Sequence, residues 1–257
     1  MNLRTYAFTT IGALTLSAGL AVYPANAAVT SVTSSASVLD ADLTVLGTPI
    51  DLDVLSTSGA APPPYDRGAS LPSFSSSFGP VSLTTDVLNT NVMGDETGTG
   101  TGSATSTINT LSINWPLIFS LSSGLITSTS SVTAAPSATG STSIADLTIT
   151  VLGIGVTFPV NPTPNDVIFN AGGLTITLNQ QIPDLGESAG ITTNAIALNF
   201  NHFPIGADIA NGSLDIAQSF ASVNIAVPEI STWTMLLLGF AGLGYAGYRR
   251  RGVLSAA

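Results

Sequence analysis

The chain has no cysteine and no lysine, and it has a single histidine. Without cysteine there are no disulfides, no thiol nucleophiles and no thiolate metal ligands, so burial and strand pairing must stabilise the fold. Without lysine, five arginines supply all the strong positive charge. Four of them lie close to the two ends of the chain, which leaves Arg67 as the only strong cation within residues 28–226.

Negative charge is concentrated where positive charge is missing. Fourteen of the fifteen Asp and Glu residues fall within 28–226, and fourteen negative charges against one positive give this segment a net charge of −13. Nucleic acids and anionic lipid surfaces need cationic side chains to neutralise their phosphates. The composition therefore predicts that nucleic acid is not a partner.

Residues suited to catalysis are also scarce. His202 is the only imidazole, so a nucleophile and base pair would have to join it to a Ser or Thr, and no Gly-x-Ser-x-Gly elbow is present. Paired carboxylates of the glycoside hydrolase type stay open as an alternative, although nothing distinguishes one acidic pair from another. We predict that the protein is not an enzyme; the alternative is a secreted hydrolase acting on polysaccharide.

The N-terminal residues have the pattern of a secretory signal peptide. Arg4 precedes an apolar stretch at 7–22, and Ala25 and Ala27 form a small-x-small cleavage site just before Ala28. We therefore predict that residues 1–27 are a signal handled by the Sec translocon and that Ala28 is the mature N-terminus.

A second apolar segment lies near the C-terminus. Residues 232–248 contain no charged side chain, and as a helix they would span about 26 Å, slightly less than the ~30 Å hydrocarbon core of a bilayer. Arg249, Arg250 and Arg251 follow directly, and positive residues beside a span stay on the cytoplasmic side. We predict a transmembrane helix at 232–248, a cytoplasmic tail at 252–257, and all preceding mature residues outside the cytoplasm.

Val227, Pro228, Glu229 and Ile230 precede an apolar Gly-rich run and the arginine cluster. This order of features resembles the PEP-CTERM sorting signal of exported proteins in Gram-negative bacteria, over residues 227–251. Val227, Pro228 and Glu229 match the start of that motif, and Ile230 stands where a second proline is usual. The resemblance implies recognition by an exosortase, a membrane-embedded protease, and loss of the tail. It also implies an inner-membrane intermediate, a final place at the cell surface, outer envelope or matrix, and an association with exopolysaccharide. A permanent membrane anchor is the alternative.

Between the two ends, apolar and polar side chains alternate with a period of two and β-branched residues are dense. This alternation predicts strands with one buried and one wet face, and residues 29–226 contain no convincing amphipathic helix pattern. In addition, residues 31–54 align without gaps on 137–160 with ten identities in 24 positions. We predict an all-β domain over 28–226: an antiparallel, two-sheet, sandwich-like body with an internal duplication.

Proline and glycine indicate where the loops of this body fall. We expect a proline-rich surface excursion at 57–73, a flexible loop at 94–102, and a tight hairpin turn at Asn211-Gly212.

Four short segments of the second half carry a further resemblance: Leu121–Thr127, Gly140–Leu152, Gly172–Gln181 and Gly190–Leu198. Through them, residues 121–225 resemble the exported families called choice-of-anchor P, whose members join a β-rich body to varied C-terminal anchors. The resemblance implies no catalytic residue.

Four aspartates form a candidate cation site. A hairpin turn at residues 46–49 would pair Asp42 with Asp53 and place all four carboxylates on one surface. Like charges so close repel, and Ca²⁺ with its oxygen ligands would relieve that repulsion. The alternative is a solvated acidic face that deters edge-to-edge aggregation. The candidate ligands are Asp40, Asp42, Asp51 and Asp53.

These features favour an exported, exosortase-sorted cell-surface or biofilm-matrix protein. We expect it to bind or associate with exopolysaccharide through an acidic β-surface rich in Ser, Thr and Asn. A calcium-binding, adhesin-like module is a further alternative.

Overall fold

The computed structural model describes residues 28–226, except 46, 79, 99, 136, 157–161, 185–187 and 206–207, together with residues 237–244. The described residues of the body form seventeen strands, which confirms the all-β prediction. The strands are β1 (Ala28–Val45), β2 (Thr48–Ala61), β3 (Tyr65–Leu71), β4 (Phe74–Phe78), β5 (Val81–Thr85), β6 (Leu88–Asp95), β7 (Thr101–Ile108), β8 (Leu111–Trp115), β9 (Phe119–Ser123), β10 (Ile126–Thr133), β11 (Ser137–Ile144), β12 (Thr148–Val151), β13 (Ile154–Val156), β14 (Asp166–Ala171), β15 (Leu174–Pro183), β16 (Ala189–Ile205) and β17 (Asp208–Ala226).

The strands form three antiparallel sheets. Sheet A has the order β14-β15-β16-β17-β1-β2, sheet B the order β11-β10-β7-β6-β3, and sheet C the order β13-β12-β9-β8-β5-β4. In sheet A the first and last strands of the body are neighbours, so that Ala28 pairs with Ala226. The first and last residues of the body therefore lie side by side, at the ends of two interior strands of this sheet.

Sheets B and C are built from the same stretches of chain. Five stretches run from a strand of one sheet into a strand of the other, with a break of two or three residues at 72–73, 86–87, 109–110, 124–125 and 145–147. Backbone hydrogen bonds continue across these breaks, for example from Gly124 N to Ala145 O at 2.9 Å. The prediction of two sheets is therefore wrong in number, because the second layer is divided into two sheets. Sheet A forms the other layer.

Large apolar side chains fill the space between sheets A and C. Leu39 on β1 is fully buried in the same cluster as Trp115 and Phe119 from sheet C. A mainly apolar cavity of about 50 Å³ lies among these side chains. This half of the interior is an ordinary hydrophobic core, in line with the alternation of the sequence.

The interior between sheets A and B combines small apolar side chains, such as Val32, Ala36 and Ala104, with small hydroxyl side chains. Ser128, Ser130 and Ser219 are fully buried, and Cα atoms of β10 and β17 approach within 8 Å, closer than the ~10 Å usual between packed sheets. Ser128 Oγ lies 2.8 Å from Ser219 Oγ and 2.8 Å from the carbonyl oxygen of Thr193. Hydrogen bonds between side chains and backbone therefore join the two layers here.

Sheet A bends along a line that crosses its strands, called here the sheet bend. Leu55, Asn179 and Ala217 lie on this line with φ values of 53°, 50° and 52°, in a region that non-glycine residues seldom adopt. In β1 the buried positions change at Val38 from even numbers (32, 34, 36) to odd ones (39, 41, 45). The bend thus lets one long strand face sheet B with one half and sheet C with the other.

The expected proline-rich excursion at 57–73 is wrong. β2 continues to Ala61 and β3 begins at Tyr65, so only Pro62, Pro63 and Pro64 separate them. Proline restricts the backbone without requiring a long loop, and β2 and β3 are edge strands, where a missing N–H is tolerated. The expected loop at 94–102 is likewise shorter, because β6 and β7 occupy both of its ends.

The predicted hairpin turn at Asn211-Gly212 is also wrong, since both residues lie inside β17. Gly212 pairs with Leu43 on one side and has a φ of 117°, and a Cβ at this position would clash with backbone atoms of β1. Opposite, β16 carries an irregularity in which Asn211 Oδ1 accepts a hydrogen bond from His202 N at 2.8 Å. The Asn211-Gly212 pair therefore allows neighbouring strands to approach closely within the sheet. The same two residues also favour a hairpin turn, so the local sequence does not distinguish the two cases.

The two similar segments adopt different arrangements. Residues 31–54 form β1 and the start of β2 in sheet A, whereas the described part of 137–160 forms β11, β12 and β13 in sheets B and C. What they share is a hairpin turn at the Thr-Val-Leu-Gly block, with Gly47 and Gly153 at φ values of 73° and 77°. The strand before that turn is continuous in the first segment and broken at Asp146 in the second.

Near the C-terminus, residues 237–244 form a helix with every residue exposed. Within the part of the chain that the structure describes, no helix is long and apolar enough to cross a membrane. Most of the sorting and cleavage residues lie outside the described part, whereas Ala28 is the first residue of β1. Those outside are Ala25, Ala27, Val227, Pro228, Glu229, Arg249, Arg250 and Arg251.

Candidate functional site

The outer surface of sheets B and C is an array of hydroxyl and amide side chains, called here the hydroxyl face. Four rows cross five strands each, and nineteen of the twenty positions are Ser, Thr or Asn. The rows are Gly68, Asn91, Thr105, Thr129, Ser141; Ser70, Asn89, Thr107, Thr127, Ser143; Ser75, Thr84, Ser112, Ser122, Thr148; and Ser77, Ser82, Asn114, Ser120, Thr150.

The hydroxyl face owes its regularity to strand geometry. Neighbouring strands lie about 4.8 Å apart, so that a row of five side chains spans roughly 19 Å, and side chains two residues apart along a strand are separated by roughly 6.7 Å. No charged residue occupies any of the twenty positions. Thr105 and Thr129 on the central strands are half-buried between their neighbours, whereas Asn91 and Ser141 beside them are exposed. The surface can therefore donate and accept many hydrogen bonds without carrying a net charge of its own.

Acidic side chains occupy the outer surface of sheet A instead. Asp40 pairs with Asp53 and Asp42 with Asp51, and all four are exposed. The predicted common surface is found, but the predicted pairing of Asp42 with Asp53 is wrong. The physical reason is that β2 already begins at Thr48, so the turn is two residues shorter than expected.

A fifth carboxylate, that of Asp215, joins this group from β17, where it pairs directly with Asp40. Burial raises the pKa of Asp215 to about 6, the charge of Asp40 adds to the rise, and a hydrogen bond from Asn194 opposes it. Partial burial also raises the pKa of Asp40, followed by the charges of Asp53, Asp51 and Asp42. The like charges of the acidic face therefore interact, and they favour a bound proton on the least exposed carboxyl.

Among the described residues, no group of three or more acidic or histidine side chains is arranged to hold a metal ion. Calcium binding by Asp40, Asp42, Asp51 and Asp53 together stays a prediction.

His202 is exposed, with Nδ1 2.7 Å from the side-chain oxygen of Asn201. Its backbone φ of 54° belongs to the irregularity of β16 opposite Asn211. In the described structure, His202 thus takes part in the local geometry of the β16 irregularity. The prediction that the protein is not an enzyme stays a prediction.

No protein-family model, curated protein or solved structure matches the chain. The sorting-signal and choice-of-anchor P resemblances therefore stay predictions as well.

Sequence reasoning treated the Ser, Thr and Asn content and the acidic charge as one surface, whereas the structure places the four uncharged rows on sheets B and C and the Asp40 group on sheet A. It also missed Asp215. The alternation of Leu214, Asp215 and Ile216 gave a usable signal that this carboxylate faces outward from a strand. Its pairing with Asp40 joins residues 175 positions apart in the sequence, and the local pattern contains no information on that partner.

Proposed function

We propose that this is an exported, exosortase-sorted protein of the cell surface or biofilm matrix. In this proposal it associates with exopolysaccharide through the hydroxyl face and does not cleave it. The observation that carries the proposal is the array of four uncharged rows across five strands of sheets B and C.

The chemistry of the array favours a neutral polymer. Sugar hydroxyls both donate and accept hydrogen bonds, as Ser, Thr and Asn side chains do, and a regular polymer meets a regular array at many points at once. An acidic polymer would be repelled by a body with a net charge of −13. Individual contacts of this kind contribute only about 0.5–1.5 kcal/mol, so binding would depend on their number.

The ends of the body suit display on a surface. Ala28 and Ala226 are paired, so the chain enters and leaves the body at adjacent strand ends of sheet A. The hydroxyl face lies on the opposite layer. A tether at residue 226 is therefore compatible with a hydroxyl face that is free to meet a polymer. Mass spectrometry of the mature protein tests the delivery step: a C-terminus near Pro228 is expected, and an intact tail would contradict exosortase processing.

Co-sedimentation with an insoluble neutral polysaccharide, with an acidic polysaccharide as comparison, tests the binding surface. We expect the wild-type chain to bind the neutral polymer. The double substitution Thr105→Val and Thr129→Val should weaken binding roughly tenfold, because two hydroxyls are lost with little change in shape. The matched control is Thr33→Val with Thr44→Val, on the acidic layer. Equal binding by the two double variants would contradict the assignment of the surface.

The alternative function, a hydrolase acting on polysaccharide, is distinguished from binding by the reducing ends that hydrolysis would release. Incubation of the chain with the bound polymer should leave the number of reducing ends unchanged. A steady rise in reducing ends, abolished by heat inactivation of the chain, would replace the binding proposal with the enzymatic one.

A further inference from the structure

A groove lies on the outer surface of sheet B, next to the hydroxyl face. Its volume is about 580 Å³, and its walls come from the start of β3, the end of β6, the start of β7 and the end of β10. Sites that bind small molecules usually have volumes of about 300–1,000 Å³. The groove is therefore large enough to hold sugar units.

Strand pairing makes the groove a continuation of the hydroxyl face. Asp66, Met93 and Ser103 lie side by side on β3, β6 and β7 and line the groove. Each of them is two residues along its strand from the row that begins with Gly68. Side chains two residues apart point to the same side of a sheet and are separated by roughly 6.7 Å. A polymer lying on the hydroxyl face would therefore reach the groove without leaving the surface.

Met93 distinguishes the groove from the uncharged rows. Its side chain is 46 % exposed, although its cross-strand neighbours Asp66 and Ser103 are polar. The thioether chain is flexible and polarizable, so it can adapt its shape to the C–H groups on the face of a sugar ring. The groove thus offers an apolar contact in addition to hydrogen bonds.

Unpaired hydroxyl groups lie around Met93. Thr101, Ser103 and Thr133 all line the groove, and their hydroxyls make no hydrogen bond with any other described residue. A hydroxyl both donates and accepts hydrogen bonds, as the hydroxyls of a sugar do. These three groups are therefore available to a ligand.

Two carboxylates on different strands complete the groove, and neighbouring side chains hold both in place. Thr97 N and Thr97 Oγ1 donate to Asp95 Oδ1 at 2.7 Å and 2.6 Å, and Asn91 Nδ2 donates to Asp66 Oδ1 at 3.3 Å. The hydrogen bonds from Thr97, first that of its side chain, lower the pKa of Asp95. Hydrogen bonds from a hydroxyl to an ionised carboxylate are roughly twice as strong as those between neutral groups.

We propose that this groove is a subsite that binds part of a neutral polysaccharide chain more tightly than the hydroxyl face does, an inference that rests on the proposed function. Sugar hydroxyls would donate to Asp66 and Asp95, and Met93 would pack against the face of a ring. The residues that line the groove include no Lys, Arg or His, so an acidic sugar would place its carboxylate beside two others without a compensating cation. The groove would thus set the position of the polymer and select against acidic sugars, while the rows add further contacts.

Nuclear magnetic resonance of methionine methyl groups in the purified full-length chain tests the subsite. Met93 is the only methionine within residues 28–226, and its signal is assigned by its loss in Met93→Gln. The probes are cellohexaose and maltohexaose as neutral oligosaccharides, with trigalacturonate as the acidic comparison. We expect a saturable shift of the Met93 signal with at least one neutral probe and no shift with trigalacturonate.

Matched substitutions separate the groove from the rest of the surface. Asp66→Asn and Met93→Gln should each weaken binding of the responding oligosaccharide roughly tenfold in calorimetric titration, because they remove a charged acceptor and an apolar contact. Asp208→Asn on β17 and Ile182→Gln on β15 make the same kinds of change on sheet A and should alter the affinity less than twofold. All four side chains are exposed, so each variant should keep the circular dichroism spectrum of the wild type.

The outcomes distinguish a failure of the subsite from a failure of the proposed function. Shifts of the Thr105 and Thr129 methyl signals with an unmoved Met93 signal would overturn the subsite and leave the proposed function standing. No shift of any of these signals with either neutral probe would overturn both. Equal losses of affinity in Asp66→Asn and Asp208→Asn would also overturn the subsite, since a general charge effect would then explain them.

Discussion

Replacement of Ser130 by alanine should destabilise the protein, whereas the same replacement at the adjacent Ser131 should not. Ser130 is fully buried between sheets A and B, and its Oγ lies 2.9 Å from Thr193 Oγ1, 2.9 Å from the carbonyl oxygen of Ser219 and 3.0 Å from Ser219 Oγ. Ser131 points to the opposite surface of the same strand and is partly exposed. The pair therefore differs in environment and not in chemistry.

The expected loss follows from the hydrogen bonds. Ser130→Ala leaves Thr193 Oγ1 without its Ser130 partner in a fully buried position, while Ser219 keeps its contact with Ser128. One buried group left unsatisfied costs about 1–3 kcal/mol, and the loss of the remaining contacts adds about 1 kcal/mol. We expect a total of about 2–3 kcal/mol. For a folded unit of this size, that corresponds to a fall of roughly 5–10 °C in melting temperature.

Urea denaturation followed by circular dichroism measures the difference. Ser130→Ala should lower the midpoint without a change in slope, and Ser131→Ala should stay within about 0.5 kcal/mol of the wild type. Ser130→Val should be worse than alanine, because the close approach of β10 to β17 leaves no room for extra methyl groups. The reasoning is refuted if Ser130→Ala and Ser131→Ala have the same midpoint.

Two further outcomes follow from the structure. The folded-state pKa of Asp215, about 6, lies above the usual aspartate value of 3.8, so the wild type should lose stability as the pH rises from about 4 through 6. In calcium-free denaturation, Asp215→Asn should remove up to about 3 kcal/mol of that loss, whereas Asp208→Asn should not. Parallel pH profiles of the two variants would argue against a buried carboxylate. Gly140→Ala should cost about 1–3 kcal/mol, since its Cβ would meet Thr193 Oγ1, while Gly155→Ala, with open space around it, should be neutral; equal melting temperatures would count against the close packing of sheets A and B.

Strand type was predictable from the sequence because alternation is a local property. The alternation of Leu39 to Val45 and of Leu174 to Leu178 identified strands whose odd or even side chains are indeed buried. The hairpin turn predicted at residues 46–49 was also recognisable as a turn, although the prediction was two residues too long, because glycine at positive φ acts locally.

Register and sheet number were not predictable in the same way. At the breaks 86–87 and 109–110 the apolar positions change phase, from Leu83 to Leu88 and from Ile108 to Leu111. That change indicates an interrupted strand locally, but it does not indicate that the two halves belong to different sheets, which depends on aligned breaks in neighbouring strands. The close packing of Ser128 on Ser219 likewise joins residues that are distant in the sequence, and the local sequence around either serine does not indicate the contact. A serine-rich strand gives no local sign of whether its hydroxyls face water or the opposite sheet.

Nuclear magnetic resonance of a chain labelled at its threonine methyl groups would test most directly whether the hydroxyl face binds a neutral polysaccharide. Addition of a soluble neutral oligosaccharide should shift the methyl signals of Thr105, Thr127 and Thr129 and leave those of Thr33 and Thr44 in place. Shifts confined to Thr33 and Thr44, or no shift at a concentration that saturates co-sedimentation, would contradict the account.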